Sequence, residues 1–335
     1  MAYATVEQEP PIVRVSRLDY TYDQMTEDLN ALTERYPGMI ELNSRAETAD
    51  GRQIIEVILG DDEAPHHILI QASIHGREYM NTVLAMNQIE DYLRGYEEKS
   101  YNGILWNDLY QDVCIHVIPM SNPDGVMISQ QGLDAVRNEE LKQYLMRCYE
   151  RDMENGIFSG NQAQYFEQWK ANAKGVDLNR NFDVGWESYI GRPFPSIERY
   201  KGDFAESEEE TKAILGIKKD YNLDCCISYH SYGNLIYWNY GSEGEIYDID
   251  RKLAECAGAV TSYELHSTVQ DSTDSAGCSD YFVLKEGIPA ITIENGGQSC
   301  PLPIEEYQHI YIRNQDLWPA LAVFCKAQEI FRTGE

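Results

Sequence analysis

The sequence predicts an α/β sandwich, a mixed or parallel sheet held between helices. Three observations lead there. Four short runs, ILIQAS (68–73), VCIHVIPM (113–120), DCCISYH (224–230) and PAITIEN (289–295), are apolar, rich in β-branched residues and bounded by polar or turn residues. Strands buried on both faces have that look. Helical periodicities separate the runs, at 79–95, 136–154, 206–219, 246–263 and 304–330, an alternation typical of α/β architecture. The chain has 335 residues and a hydrophobic fraction of 43%, enough apolar material for a large core.

Residues 1–12 are polar and interrupted by Pro10 and Pro11, and read as an irregular tail before a single domain over 13–335. Met25, Leu29 and Leu32 fall on one face of a helix over 21–36, which Pro37-Gly38 stops. Strand-like runs follow at 39–45 and 53–59. The segment 126–174 reads as a helical insertion within that domain, polar enough to lie over the surface. The acidic run at 206–210 reads as a helix start, where carboxylates suit the dipole.

Composition excludes several functions. Lys and Arg total 27 against 56 Asp and Glu, a formal charge of −29, which repels a phosphate backbone and argues against nucleic acid as a partner. No window approaches the ~20 apolar residues of a membrane span. Eight cysteines occur without a CxxC, so neither a disulfide framework nor a cysteine zinc site is expected. The opening MAYATVEQEPPIVRVSR shows no signal-peptide pattern. A reducing, cytoplasmic setting is therefore expected.

The chemistry collects where the buried runs end. After ILIQAS comes Ile74-His75-Gly76-Arg77-Glu78, and after VCIHVIPM comes Ser121-Asn122-Pro123-Asp124-Gly125. DCCISY ends in His230-Ser231-Tyr232-Gly233, and PAITI in Glu294-Asn295-Gly296-Gly297. In open α/β sheets ligands bind at that carboxyl edge. In His75-x-x-Glu78 an imidazole and a carboxylate can turn onto one ion. A catalytic zinc takes three protein ligands plus water, and His230 is the natural third. Alone, HxxE is better explained by a surface loop with a His–Glu hydrogen bond.

Gly175-Val176-Asp177-Leu178-Asn179-Arg180-Asn181-Phe182 completes an ordered set with HGRE, NPDG, SYHSYG and TIENG. With these five motifs in that order, from about Tyr20 to Phe331, the chain resembles the carboxypeptidase A-like zinc metallocarboxypeptidases. The resemblance implies a mixed, roughly eight-stranded twisted sheet between helices, a three-layer sandwich, and one zinc ion per chain. It implies His75, Glu78 and His230 as zinc ligands and Glu294 as general base and acid. Asn179 and Arg180 would hold the substrate's terminal carboxylate, and Arg77 would contact the peptide further from the cut. Where the family polarises the scissile carbonyl with an arginine after a tryptophan, this chain has Trp169-Lys170, with Lys174 a competing candidate. The family's mobile capping tyrosine has no counterpart, because no tyrosine lies between Tyr263 and Tyr281.

In the family the pocket floor is set by the residue before an aspartate fourteen positions ahead of the catalytic glutamate. Here these are Ser279 and Asp280, which suit a polar or amphoteric side chain. The style of WKAN and GVDLNRNF resembles the bacterial branch that cleaves γ-D-glutamyl–diaminopimelate links. A peptide or muropeptide is the substrate so implied. An N-acyl amino acid amidohydrolase on the same scaffold and an inactive binding module are the alternatives; the complete His75, Glu78, His230 and Glu294 set argues against the latter. Elsewhere, His116 is expected to be a satisfied core residue. His66 and His67 are expected at solvent, and His266 and His309 show no partner pattern in the sequence. Asp271 and Asp274 fall in a polar loop, better read as plainly solvated than as the rim of a cleft. The oligomeric state is not legible.

Overall fold

The computed structural model describes residues 9–15, 20–268, 276–297 and 299–333, with side chains to 327. Eight strands form its sheet: β1 (Ile40–Glu47), β2 (Gln53–Leu59), β3 (His66–Ala72), β4 (Val113–Ile118), β5 (Leu223–His230), β6 (Leu235–Trp238), β7 (Glu264–Ser267) and β8 (Ala290–Glu294). Their spatial order is β1-β2-β4-β3-β5-β8-β6-β7. Strands β4, β3, β5 and β8 run parallel, while β1, β2 and the β8–β6 pair are antiparallel. The sheet is thus mixed and eight-stranded, as the resemblance implied.

Every residue of β3, β4 and β5 is buried, because both faces are covered. Ile68, Ile70, Cys225, Ile227, Ile291 and Ile293 pack on one side, against α1 (Tyr22–Arg35), α2 (Met80–Gly95) and later helices. Leu69, Cys226 and Ala290 alternate to the other side. There they meet Ile214 and Ile217 of a helix over Glu209–Asp220. Period-two alternation with both faces apolar is why these strands appear as unbroken hydrophobic runs.

Four expectations need correction. The helix expected over 304–330 is two helices, Tyr307–Asn314 and Leu317–Thr333. Pro319 has no N–H for the carbonyl of Gln315, and the Asn314 carbonyl accepts instead from Gln88 Nε2 at 2.9 Å. Second, β6 and β7 carry no sequence signal: each has four residues, and β7 is wholly exposed. Third, the segment over 126–174 is not only surface. Its helices Glu139–Glu154 and Gln162–Glu167 enclose an apolar cluster of Leu145, Cys148, Tyr165, Phe166 and Trp169.

Fourth, His66 and His67 are buried. Strand β3 begins at His66, and the Asp224 carboxylate accepts from the His67 backbone N–H at 3.0 Å and lies 3.3 Å from His66 Nδ1. His116 is a buried, partnered residue. His309 accepts from Arg313 Nε at 2.9 Å and His266 lies 3.6 Å from Glu264, so neither is without a neighbour. Of the tail, residues 9–11 carry no regular structure and 1–8 lie outside the described residues, as do Asp271 and Asp274.

The acidic run at 206–210 does lead into a helix, which starts at Glu209 with Glu208 as its N-cap. Glu210, however, is buried beside Asn172. Burial, with Asp124 and Glu208 adding to it, pushes its carboxyl up from 4.5 to about 8. The folded state therefore binds an extra proton between those values. Stability falls as pH rises through that window, by up to ~1.4 kcal/mol per pH unit. Glu210→Gln should melt higher than the parent at about pH 8, with the gap closing towards about pH 5. Equal melting temperatures across that range would show that Glu210 is ionised at no cost.

Candidate metal centre and active site

Parallel strands β3, β4, β5 and β8 deliver their ends to one edge of the sheet. Glu294, the last residue of β8, is the register partner of His230, the last of β5. The chain leaving β3 turns through His75 into a single turn over Gly76–Glu78. A Cβ on Gly76 would sit 2.4 Å from the Gly125 carbonyl oxygen, so this loop can lie against the NPDG loop only with glycine there. Asn122 ties the loops together: its Nδ2 donates to the carbonyls of Ile74 and Ala171, and its Oδ1 accepts from the Gly125 N–H. The second motif is therefore scaffold. Asp124 is likewise buried and structural, bonded to Thr48, the Asp50 N–H and Arg52.

His75, Glu78 and His230, all buried, converge. His75 Nδ1 lies 2.8 Å from Glu78 Oε1, and His230 Nδ1 lies 3.0 Å from Glu78 Oε2 and 3.1 Å from His75 Nδ1. Burial works to raise the Glu78 carboxyl, yet the charges and hydrogen bonds of the two histidines hold it well below the usual carboxylate range. Two imidazole nitrogens and a carboxylate facing one point make a fitting donor set for a borderline divalent cation such as zinc. The Asp177 carboxylate lies 3.4 Å from His75 Nε2, off the ideal hydrogen-bond line, where a carboxylate orients a metal-binding histidine. Burial would raise Asp177, but His75, Lys170 and Arg180 keep it well below its ordinary value. Asp177 stands in the GVDLNRNF motif, but nothing in the sequence pointed it at His75.

Glu294 borders this cluster. Burial pushes its carboxyl up to about 7; His230 and Lys170 oppose the shift and Glu78 adds to it. Lys170 thus acts on Glu294 and Asp177, and its carbonyl accepts from the Gly76 N–H at 3.1 Å. Lys174 is exposed and paired with Glu208 at 3.2 Å, so of the two lysines Lys170 is the one at the cluster.

Asn179 Oδ1 accepts from the Cys278 N–H at 2.9 Å, which leaves its amide NH2 as the donating end. The Arg180 guanidinium packs over Tyr189, 5.4 Å from the ring centroid, and donates to the Asn179 carbonyl. Its charge is balanced by Asp177 and Asp280. Arg77 is half-buried, 4.0 Å from Glu198. Ser279 is buried among hydroxyls: its Oγ lies 2.9 Å from Thr292 Oγ1 and 3.3 Å from Ser228 Oγ, and Tyr240 donates to the same Thr292. Cys300, unforeseen as a neighbour of the site, has its buried thiol 3.2 Å from the Arg77 carbonyl. The stretch that would carry a capping residue, 269–275, lies outside the described residues.

Comparison with known proteins bears on the family and the fold. The chain is 29% identical over 296 residues to gamma-D-glutamyl-L-diamino acid endopeptidase 1 of Lysinibacillus sphaericus, covering 88% of this chain and 69% of that protein. Thrombin activatable fibrinolysis inhibitor superposes with a TM-score of 0.73 at 18% identity, over 94% of this chain and 77% of its own. Murein-tripeptide amidase MpaA from Escherichia coli O157 superposes with a TM-score of 0.51 at 19% identity, over 87% and 94% of the two chains. At such identities these structures bear on the fold alone. The zinc carboxypeptidase family model matches residues 25–309, and the chain is a metallopeptidase of that family.

Proposed function

We propose that this enzyme hydrolyses an amide next to a carboxylate-bearing residue, with γ-D-glutamyl–diaminopimelate peptides of the cell wall as its substrate class. The observation that carries the reading is the convergence of His75, Glu78 and His230 beside Glu294. His75, Glu78 and His230 would hold one zinc ion, which supplies an acidified water and a polarised carbonyl when bound. Glu294 takes the proton of the attacking water and delivers it to the leaving nitrogen. Lys170 offers positive charge to the developing oxyanion, as a point charge without arginine's planar fork. Arg180 and the amide of Asn179 bind the substrate carboxylate, and Arg77 contacts the peptide further from the cut.

The side-chain pocket supports an amphoteric group. Ser279, Ser228, Thr292 and Tyr240 present hydroxyls in place of an acidic or bulky apolar floor. Diaminopimelate carries both charges, and a hydroxyl-lined floor can accept either. Similarity to the Lysinibacillus endopeptidase supports the same choice. Eight free thiols favour a reducing compartment, where such an enzyme would process recycled muropeptides. No helix among the described residues is long and apolar enough to cross a membrane.

The zinc-loaded protein should cleave a γ-D-glutamyl–diaminopimelate peptide in preference to peptides with apolar, basic or acidic C-terminal residues, and to N-acetyl-aspartate. Preference for N-acetyl-aspartate would instead establish the amidohydrolase alternative. Preference for an apolar or basic C-terminus would remove the cell-wall assignment.

A further inference from the structure

A second cluster of metal-binding residue types lies at the opposite edge of the sheet. His67 belongs to the start of β3 and Cys114 to the start of β4, and the two are register partners. His116 follows Cys114 by two residues, so all three side chains project from the same face. All are buried, and their ligand atoms lie within 4.8 Å of one another. Strand β3 spans seven residues, so roughly 20 Å of strand separates this cluster from His75.

The two imidazoles face each other directly. His116 Nδ1 lies 2.8 Å from Glu56 Oε1. A carboxylate only accepts, so that nitrogen carries a hydrogen and Nε2 is left bare in the neutral ring. His116 Nε2 faces His67 Nδ1 at 3.0 Å. A neutral His67 ring can carry its hydrogen on Nδ1 and donate it to that bare nitrogen. The 3.0 Å between the two nitrogens is bridged by that hydrogen in the absence of metal, and the same two nitrogens converge on one point where an ion can replace it.

The surroundings favour a metal. The catalytic histidines face each other at nearly the same spacing, 3.1 Å. Glu56 supports His116 as Asp177 supports His75, and Arg45 anchors Glu56 at 2.5 Å. Carboxylate–histidine pairing of this kind fixes the ring so that its remaining nitrogen binds metal. Cys114, buried beside them, adds a sulfur ligand. Tyr221 covers the site, with ring centroids 5.0 Å from His67 and 4.1 Å from His116.

We propose that His67, Cys114 and His116 form a second, three-ligand metal site that takes a thiophilic divalent cation, zinc foremost. Two histidines and a cysteine suit zinc's preference for nitrogen and sulfur. Binding displaces the thiol proton of Cys114, and any proton held between the imidazoles, to solvent. The site clamps β3 to β4 and, through Glu56, to β2, at the edge remote from catalysis.

Metal stoichiometry and cobalt spectroscopy test this on the full chain, stripped with chelator and reloaded with Zn2+ or Co2+. The parent should bind two equivalents of zinc, and Cys114→Ser and His116→Gln should each bind one. With cobalt, the parent should develop a near-ultraviolet thiolate-to-metal charge-transfer band. His230→Ala should keep that band, and Cys114→Ser should lose it. The comparison matters because Cys300 lies near the other site. A single equivalent in the parent, or a cobalt spectrum without the band, overturns the proposal and assigns the His67–His116 contact to a plain hydrogen bond. The spectrum of the parent protein decides the question even if a variant fails to fold.

Discussion

Replacing Glu294 with glutamine should abolish turnover, by roughly 10²–10⁴-fold, and leave metal content unchanged. Glutamine keeps the shape of the side chain but cannot take a proton from water. Glu294 ends β8 next to the His230 end of β5, so it faces the ligand cluster without belonging to it. Its carboxyl, pushed up to about 7 by burial, lies in the range where a group can both accept and return a proton near neutrality. The loss should therefore fall on kcat, with KM little altered, because Arg180 and Asn179 carry the ground-state binding. Turnover within tenfold of the parent would take Glu294 out of the chemistry. Loss of metal along with activity would place it among the ligands instead.

The parts of the fold legible beforehand were those where local pattern and burial coincide. Strands β3, β4, β5 and β8 are covered on both faces, so their sequences are apolar throughout and their ends are sharp. Helix α1 declared itself through Met25, Leu29 and Leu32, which are buried on one face. Strands β6 and β7 were hidden because they are four residues long and take their stability from pairing, not from their own apolar content. His66 and His67 were misread because two polar residues ahead of an apolar run look like a loop. Their burial comes from Asp224 and Tyr221, more than 150 residues away in sequence. The ligand candidates could be named because each sits at a strand end within a short motif. Their supporting groups, Asp177 behind His75 and Glu56 behind His116, depend on side-chain direction, which no spacing encodes.

His230→Ala should lower bound metal by one equivalent and reduce hydrolysis to background. His230 is the only member of the triad contributed from outside the HGRE turn, and it closes the cluster from β5. Without it, His75 and Glu78 remain a two-ligand site, too weak to retain zinc against a chelator. Glu78 would also lose one of the two imidazoles that hold its charge in a buried setting, and its carboxyl should rise towards protonation. That change weakens the remaining pair further, since only the carboxylate binds metal well. The variant should stay folded, because β5 keeps its pairing with β3 and β8. Dialysis against chelator followed by elemental analysis gives the count, with circular dichroism as the check on folding. Full metal retention in a folded His230→Ala protein would break the ligand assignment, and with it the role given to Glu294.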